Sequence, residues 1–406
     1  MIIGFLDSIL VVIAGGLFIL CSVLFIESMT AVLLPDTKLS NKQSKQAKDI
    51  TDNIKYKVLI PAHDEELIIR STLESLKEKL DNWQNIIVVA DNCTDATADI
   101  ARSTGVQVIE RHDTNLLGKG YALDYGLNHL KSQPPDVVVF IDADCLVSQG
   151  AIEQVIQKAF TTQRPVQSTY LMAKSDISSP KASVSAFAFK VKNLVRPLGL
   201  SLLKQPCLLT GTGMAFPWEV INSVDTASSN IVEDMTLGFD LSLAGHPPIF
   251  CPQSNVTGYL PQELKTAKGQ RTRWEHGHLQ TILTYVPLLL KEGFKQKRFD
   301  LFVSALDLCV PPLSLLVIAW LGVTVFSLVT GILLGIWTSM IILVFAGSLL
   351  FTAIFSAWTK FGRSDLPLIQ LLTVPFYILW KIPLYFQFLI KRQKTWVRTK
   401  RDSINA

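Results

Sequence analysis

Val137-Val138-Val139-Phe140-Ile141-Asp142-Ala143-Asp144 is an apolar run that stops on two carboxylates. Its first five residues include four β-branched ones, which fits a strand buried on both faces, as in parallel sheets covered by helices. Working outward, Val58-Leu59-Ile60 and Ile86-Ile87-Val88-Val89 repeat the pattern, with helix-like stretches such as residues 67–80 between them. This alternation predicts an α/β domain with a mostly parallel sheet. In such sheets ligands sit beyond the carboxyl ends of the strands. Asp64, Glu65, Asp91, Asp142 and Asp144 all fall at those ends.

The domain does not stand alone. Of 406 residues, 49% are hydrophobic and 18% charged, against roughly 25% charged in soluble proteins. Residues 8–26 carry no charge, close to the length a helix needs to cross a bilayer. No basic residue precedes them and Lys-rich sequence follows, which reads as an uncleaved anchor with its N-terminus outside. Residues 308–358 are also uncharged and suit two helices with a turn near Thr330, Gly331 and Gly335. Residues 366–390 are apolar but contain Pro367, Pro375, Pro383 and Lys381.

Basic charge gathers beside these segments. Residues 36–57 hold six Lys against three Asp, and residues 391–402 hold six basic residues against one acidic. Such clusters mark the cytoplasmic flank of membrane proteins rather than a nucleic-acid site. A third C-terminal crossing would place the basic tail outside, so an interfacial or re-entrant segment is expected for 366–390. The expected organisation is an anchor at 1–34, a basic cytoplasmic linker at 35–57 and the α/β domain at 58–280. An interfacial segment at 281–298, a membrane region at 299–390 and a basic cytoplasmic tail at 391–406 follow. The six cysteines show no metal spacing, and reduced thiols are expected.

Taken singly, each candidate motif has a plain alternative. Asp142-Ala143-Asp144 can bind a hard divalent cation or be a solvated turn. VLIPAHDEE (58–66) and VVADNCTD (88–95) can meet a planar base and a ribose, or simply cap helices. Gly118-Lys119-Gly120 can touch a phosphate or form a turn, and Thr210-Gly211-Thr212-Gly213 admits either close ligand approach or a tight turn. Glu233-Asp234 offers a general base or a helix cap. Gln270-Arg271-Thr272-Arg273-Trp274 combines guanidinium groups for phosphate with an indole for a sugar face, or is a membrane-surface helix. His276 and His278 read as satisfied or solvated histidines.

In order, PxxxE, a strand ending in Asp, GKG, DAD, TGTG, ED and QxxRW resemble the membrane-bound branch of glycosyltransferase family 2. Cellulose, chitin-oligosaccharide, hyaluronan and poly-N-acetylglucosamine synthases belong to that branch. The resemblance implies a GT-A fold, Rossmann-like with a mostly parallel sheet, in a cytoplasmic domain between N- and C-terminal transmembrane helices. It implies a multi-pass protein of the cell (inner) membrane that inverts at a sugar carbon. The donor would be a nucleotide-sugar, expected to be a UDP-sugar, and the acceptor a glycan or a lipid, with Mg²⁺ or Mn²⁺ as cofactor. Carried over by motif, Asp234 is the catalytic base and Asp144 the metal ligand. Pro61, Glu65, Asp91, Lys119, Asp142, Gln270, Arg271 and Arg273 would hold the nucleotide-sugar, and Gly211, Thr212 and Trp274 the acceptor. Two departures stand out. His63-Asp64 replaces a common Tyr-Asn, and Ala90-Asp91-Asn92-Cys93 replaces Asp-Asp-Gly-Ser, so one carboxylate of that pair is missing.

Other classes fit less well. A nucleotidyltransferase would need a glycine-rich loop ahead of its first strand exit. A dinucleotide oxidoreductase would need GxGxxG after the first strand. A transporter or scaffold leaves the ordered acidic strand ends unexplained.

Overall fold

In the computed structural model, which describes residues 2–33, 51, 53–173, 180–259 and 264–390, the chain opens with helix α1 (Ile2–Leu33). Strands and helices then alternate as β1 (Tyr56–Ala62), α2 (Ile69–Lys77), β2 (Ile86–Asp91), α3 (Thr97–Ser103), β3 (Gln107–Arg111), α4 (Lys119–Leu130) and β4 (Val137–Phe140). Next come β5 (Leu146–Val147), α5 (Ala151–Thr162), β6 (Val166–Ala173), α6 (Pro180–Lys190), α7 (Arg196–Leu202), β7 (Met214–Pro217), α8 (Trp218–Ile221), α9 (Glu233–Leu243) and β8 (Ile249–Tyr259). The rest is helical: α10 (Leu264–Gln296), α11 (Phe299–Cys309), α12 (Leu313–Leu334), α13 (Thr338–Ala357) and α14 (Val374–Ile390).

The three apolar runs become adjacent parallel strands, with Val58 beside both Ile86 and Val139. Successive side chains point to opposite faces, and both faces are covered. Val58, Ile60, Val88 and Val139 pack with Ile69 and Leu73 of α2 and with Ile152 and Ile156 of α5. Leu59, Ile87, Val138 and Phe140 pack on the other side with Leu123 and Leu127 of α4 and with Phe216 of β7. The sheet order is β3-β2-β1-β4-β7-β6-β8-β5. Its first four strands are parallel, whereas β7 runs antiparallel to both β4 and β6, so the sheet is mixed beyond β4. The chain leaves β1 towards β2 and β3 and returns on the far side as β4, which opens a crevice at the carboxyl ends of β1 and β4.

Among the described residues, four helices are long and apolar enough to cross a membrane: Ile2–Leu33, Leu313–Leu334, Thr338–Gly362 and Leu368–Phe388. The last is a helical run through Pro375 and Pro383 within the segment for which an interfacial or re-entrant course is expected. The hairpin expected in 308–358 is present, turning at Gly335 with φ +74°. Helix α10 runs unbroken across residue 280, so one helix carries both the QxxRW motif and the expected interfacial segment. Most of the basic linker, with Lys42, and the whole tail 391–406, with Arg398, lie outside the described residues.

Helix α1 is built into the rest of the protein. Ala14, Leu17, Cys21 and Leu24 share a core with Leu343, Ala346, Leu350 and Ala353 of α13; small residues there permit close approach. Arg196 of α7 is buried and donates from Nε to Glu27 of α1 at 2.6 Å, and also pairs with Asp307 of α11. A Cβ on Gly199 would lie 1.9 Å from the Glu27 carbonyl oxygen, so that glycine sets how closely α1 and α7 pack.

Candidate active site

The carboxyl ends of β1, β2 and β4 open into a cavity of about 320 Å³, closed on its far side by α6, α9, α10 and α14. Pro61, Glu65, Asp91, Lys119, Asp142, Asp144, Gly211, Asp234, Gln270, Arg271, Arg273 and Trp274 all line it. Thr212 does not. It is fully buried beneath the wall, where its Oγ1 accepts from the Asp142 N–H at 3.0 Å and its carbonyl accepts from Gln167 at 2.9 Å. The acceptor contact expected of Thr212 is therefore corrected: it holds the DAD loop in place.

The unusual residues at the first two strand exits brace one another. His63 Nδ1 donates to the Asp91 carbonyl at 2.6 Å, and Asp64 accepts from the Thr94 N–H at 2.6 Å. Asp91 is ion-paired at 2.6 Å with Arg111, itself buried. Burial pushes the Asp91 carboxyl up, with Arg111 opposing. The cluster Asp64, Cys93 and Asp95 is thus occupied with loop bracing; Asp95 caps the Thr97 N–H at 2.9 Å.

Asp142, Asp144 and Cys145 place ligand atoms within 4.8 Å of one another. Burial pushes the Cys145 thiol well above its ordinary range, so it stays protonated. The two carboxylates form an all-oxygen set that suits Mg²⁺ or Mn²⁺. Asp142 is shared with Lys119, which pairs with it and donates to the Gly211 carbonyl at 2.7 Å. Burial works against the Lys119 charge, but the Asp142 and Glu233 carboxylates outweigh this and raise its pKa.

Glu233 and Asp234 open α9, where the helix N-terminus favours negative charge. A Cβ on Gly211, whose φ is +92°, would lie 3.2 Å from Asp234 Oδ2. The TGTG loop therefore lies directly over the base candidate. Burial pushes Glu233 up to about 7, with Asp234 adding to the rise and Lys119 opposing it. Asp234 is also raised by burial, with Lys119 opposing. The two titrate as a pair. Raising the pH through about 7 removes the proton held mainly by Glu233, and the added negative charge makes Asp234 a stronger base. A rising step in kcat/KM is expected there, and Glu233→Gln should erase it while leaving a lower acid limb. An unchanged step in the variant would assign the titration to another group.

On the opposite wall, Trp274 lies against Phe189 (ring centroids 5.7 Å apart), and Phe189 meets Tyr170 edge-on at 5.3 Å. Helix α10 is tied to α14 through the pair of half-buried Glu275 with buried Lys381 and through Arg271 over the Trp380 ring. His276 and His278 are buried, each donating from Nε2 to a carbonyl, Leu384 at 3.1 Å and Leu308 at 3.0 Å. Burial pushes His278 down to about 3, so it is neutral.

Residues 54–277 match the family model described as glycosyltransferase-like family 2, which covers more than half of the chain. The chain belongs to glycosyltransferase-like family 2. Among curated relatives of this family 2 chain, a Bacillus subtilis protein named probable glycosyltransferase YdaM is 25% identical over 279 residues, covering 61% of each chain. A 4,4'-diaponeurosporenoate glycosyltransferase of Staphylococcus haemolyticus is 30% identical over 195 residues, 45% of this chain and 50% of the relative. The chain thus spans between half and two thirds of the length of these relatives. A mannosyltransferase structure from Pyrobaculum calidifontis, in complex with GDP-Man and Mn²⁺, aligns at 16% identity and a TM-score of 0.49, covering 93% of this chain and all of that one.

Several cavity residues escaped the motif reading. Phe189, Lys192, Asn193, Glu275, Ser314 and Lys381 all line the wall. Lys192 and Asn193 stand between Lys190 and Arg196 in a mixed stretch that matches no motif.

Proposed function

We propose that this family 2 chain transfers a sugar, with inversion, from a nucleotide-sugar to the hydroxyl of a lipid acceptor at the membrane. The observation that carries the reading is the cavity itself. It is continuous from the Asp142–Asp144 loop, past Asp234, to Leu24 of α1, Leu313 of α12 and Tyr377 of α14. A donor entering at the strand ends and an acceptor held by membrane helices would meet at Asp234.

Asp234 takes the proton as the acceptor oxygen attacks the anomeric carbon, and the bond to the diphosphate breaks on the opposite face. Gln270, Arg271 and Arg273 border the position of the leaving diphosphate, where preorganised donors are worth about 3–4 kcal/mol each. Lys119 keeps Asp142 and the Gly211 carbonyl in place. A divalent cation held by Asp144 and Asp142 would neutralise charge on the leaving group. UDP as the nucleotide, and a cytoplasmic catalytic domain in the inner membrane, follow from the resemblance and from the basic flanks.

Two experiments test this. Detergent-solubilised protein is incubated with membrane lipid and a panel of labelled nucleotide-sugars. Label in an organic-extractable product carrying one sugar is expected. Label in a high-mass polymer would instead favour the polysaccharide synthases, the reading that the QxxRW set supports. Asp144→Asn should raise the Mn²⁺ concentration needed for half-maximal transfer by at least the roughly 10–100-fold that loss of an outer-shell partner costs. An unchanged metal requirement would remove Asp144 from the metal site.

A further inference from the structure

Beyond Asp234 the cavity has a wall that the transfer chemistry leaves unused. Between α6 and α7 the chain makes a single π-helical turn, Val191–Val195, a geometry often found at functional sites. Lys192 on this turn lines the cavity. Among the described residues it makes no hydrogen bond or ion pair. Burial pulls its pKa down, while Asp234, Asp307 and Glu275 are near enough to oppose this. The next residue, Asn193, is buried with its Oδ1 lacking a hydrogen-bond partner, and the Thr210 Oγ1 across the cavity is in the same position.

A half-buried lysine with no hydrogen-bond partner and buried unsatisfied polar atoms are costly. Three at one wall describe a partner that presents negative charge together with a hydroxyl. The same wall continues into Leu24, Val191, Val310, Pro311, Leu313 and Tyr377, which are apolar apart from the tyrosine hydroxyl. The partner is therefore amphiphilic, with its head group nearest the base.

We propose that Lys192, with Asn193 and Thr210, forms the subsite for an anionic head group, carboxylate or phosphate, on the acceptor lipid. Lys192 and the Thr210 hydroxyl donate to the anion, and Asn193 Oδ1 accepts from a head-group hydroxyl. This rests on the lipid-acceptor reading and adds the charge that the acceptor must carry.

The test uses the full chain in a neutral detergent with three probes of equal tail length: dodecylglycerol, dodecylglycerol phosphate and 2-hydroxytetradecanoate. Protection against thermal unfolding and sugar transfer are both measured. The anionic probes should act at concentrations at least about tenfold below the neutral one, the worth of one charge-assisted hydrogen bond. The two anionic arms separate a phosphate from a carboxylate head. Lys192→Met should erase the preference and Lys192→Arg should keep it; Thr210→Val should weaken it. Because each variant is read as a ratio between probes, a general loss of stability does not imitate the result. Equal protection by all probes in the wild type, or a preference that survives Lys192→Met, overturns the subsite. So does a Lys192→Met variant that shifts the acid limb of the rate without changing the ratio, since the lysine would then act through Asp234. Preferential protection without transfer to any probe would instead count against the lipid product while upholding the anion site.

Discussion

Asp234→Asn is expected to lower sugar transfer by about 10²–10⁴-fold, the usual contribution of a general base, with nucleotide-sugar binding nearly intact. Asn preserves the shape of the side chain beneath Gly211 and its place in the first turn of α9, so the loss falls on the chemical step. Trp274→Ala is the informative partner. Trp274 packs on Phe189 in the cavity wall, and with the acceptor-platform role proposed for it, its loss should harm transfer more than slow hydrolysis of the donor by water. Binding, hydrolysis and transfer are measured for both variants. Weak donor binding in Asp234→Asn, with transfer restored by excess donor, would move Asp234 into the nucleotide site and leave the mechanism without its base.

Arg196→Met should have the largest effect on stability. Arg196, Glu27 and Asp307 are all buried, and one guanidinium serves both carboxylates. Removing the shared cation strands two charges, a loss that typically costs 3–5 kcal/mol. At roughly 2–4 °C per kcal/mol for a large domain, the midpoint of thermal unfolding in detergent should fall by about 6–20 °C. Replacing all three by apolar residues of similar size (Glu27→Leu, Arg196→Met, Asp307→Leu) should recover most of the loss, because the penalty lies in the unpaired charges. A single variant as stable as the wild type would mean that water or lipid headgroups already screen the cluster.

The α/β architecture was legible because its central strands are buried on both faces and so read as unbroken apolar runs. Val137–Phe140 and Ile86–Asp91 are such strands. Strand β7 was not legible. Met214–Pro217 is four residues long and follows a glycine-rich loop, and nothing local tells an antiparallel neighbour from a turn. The candidate site residues other than Thr212 line one cavity because strand ends and helix starts are fixed by the sheet. Thr212 was misjudged because exposure within a loop such as TGTG depends on what lies behind it, here the Asp142 N–H. Lys192 was invisible for a different reason. A π turn adds one residue to a helical repeat without a composition signature, and that extra residue decides which side chain faces the cavity. The unbroken α10 shows the same limit, since the QxxRW motif and the segment expected to be interfacial follow each other on one helix with no stop signal.

The ion triad also has a consequence in time. Glu27 leaves the ribosome 169 residues before Arg196, and Asp307 follows Arg196 by a further 111. At roughly 5–20 residues per second, the acid in the first helix waits roughly 8–34 seconds for its cation, and that cation then waits roughly 6–22 seconds for its second acid. During the first interval a nascent helix long and apolar enough to cross a membrane carries an uncompensated carboxylate. During the second, α1 is held to the half-made enzyme by the Glu27–Arg196 ion pair and by its packing on α6 and α7, before α13 exists to pack against it. The first helix to be synthesised is therefore among the last to reach its native surroundings.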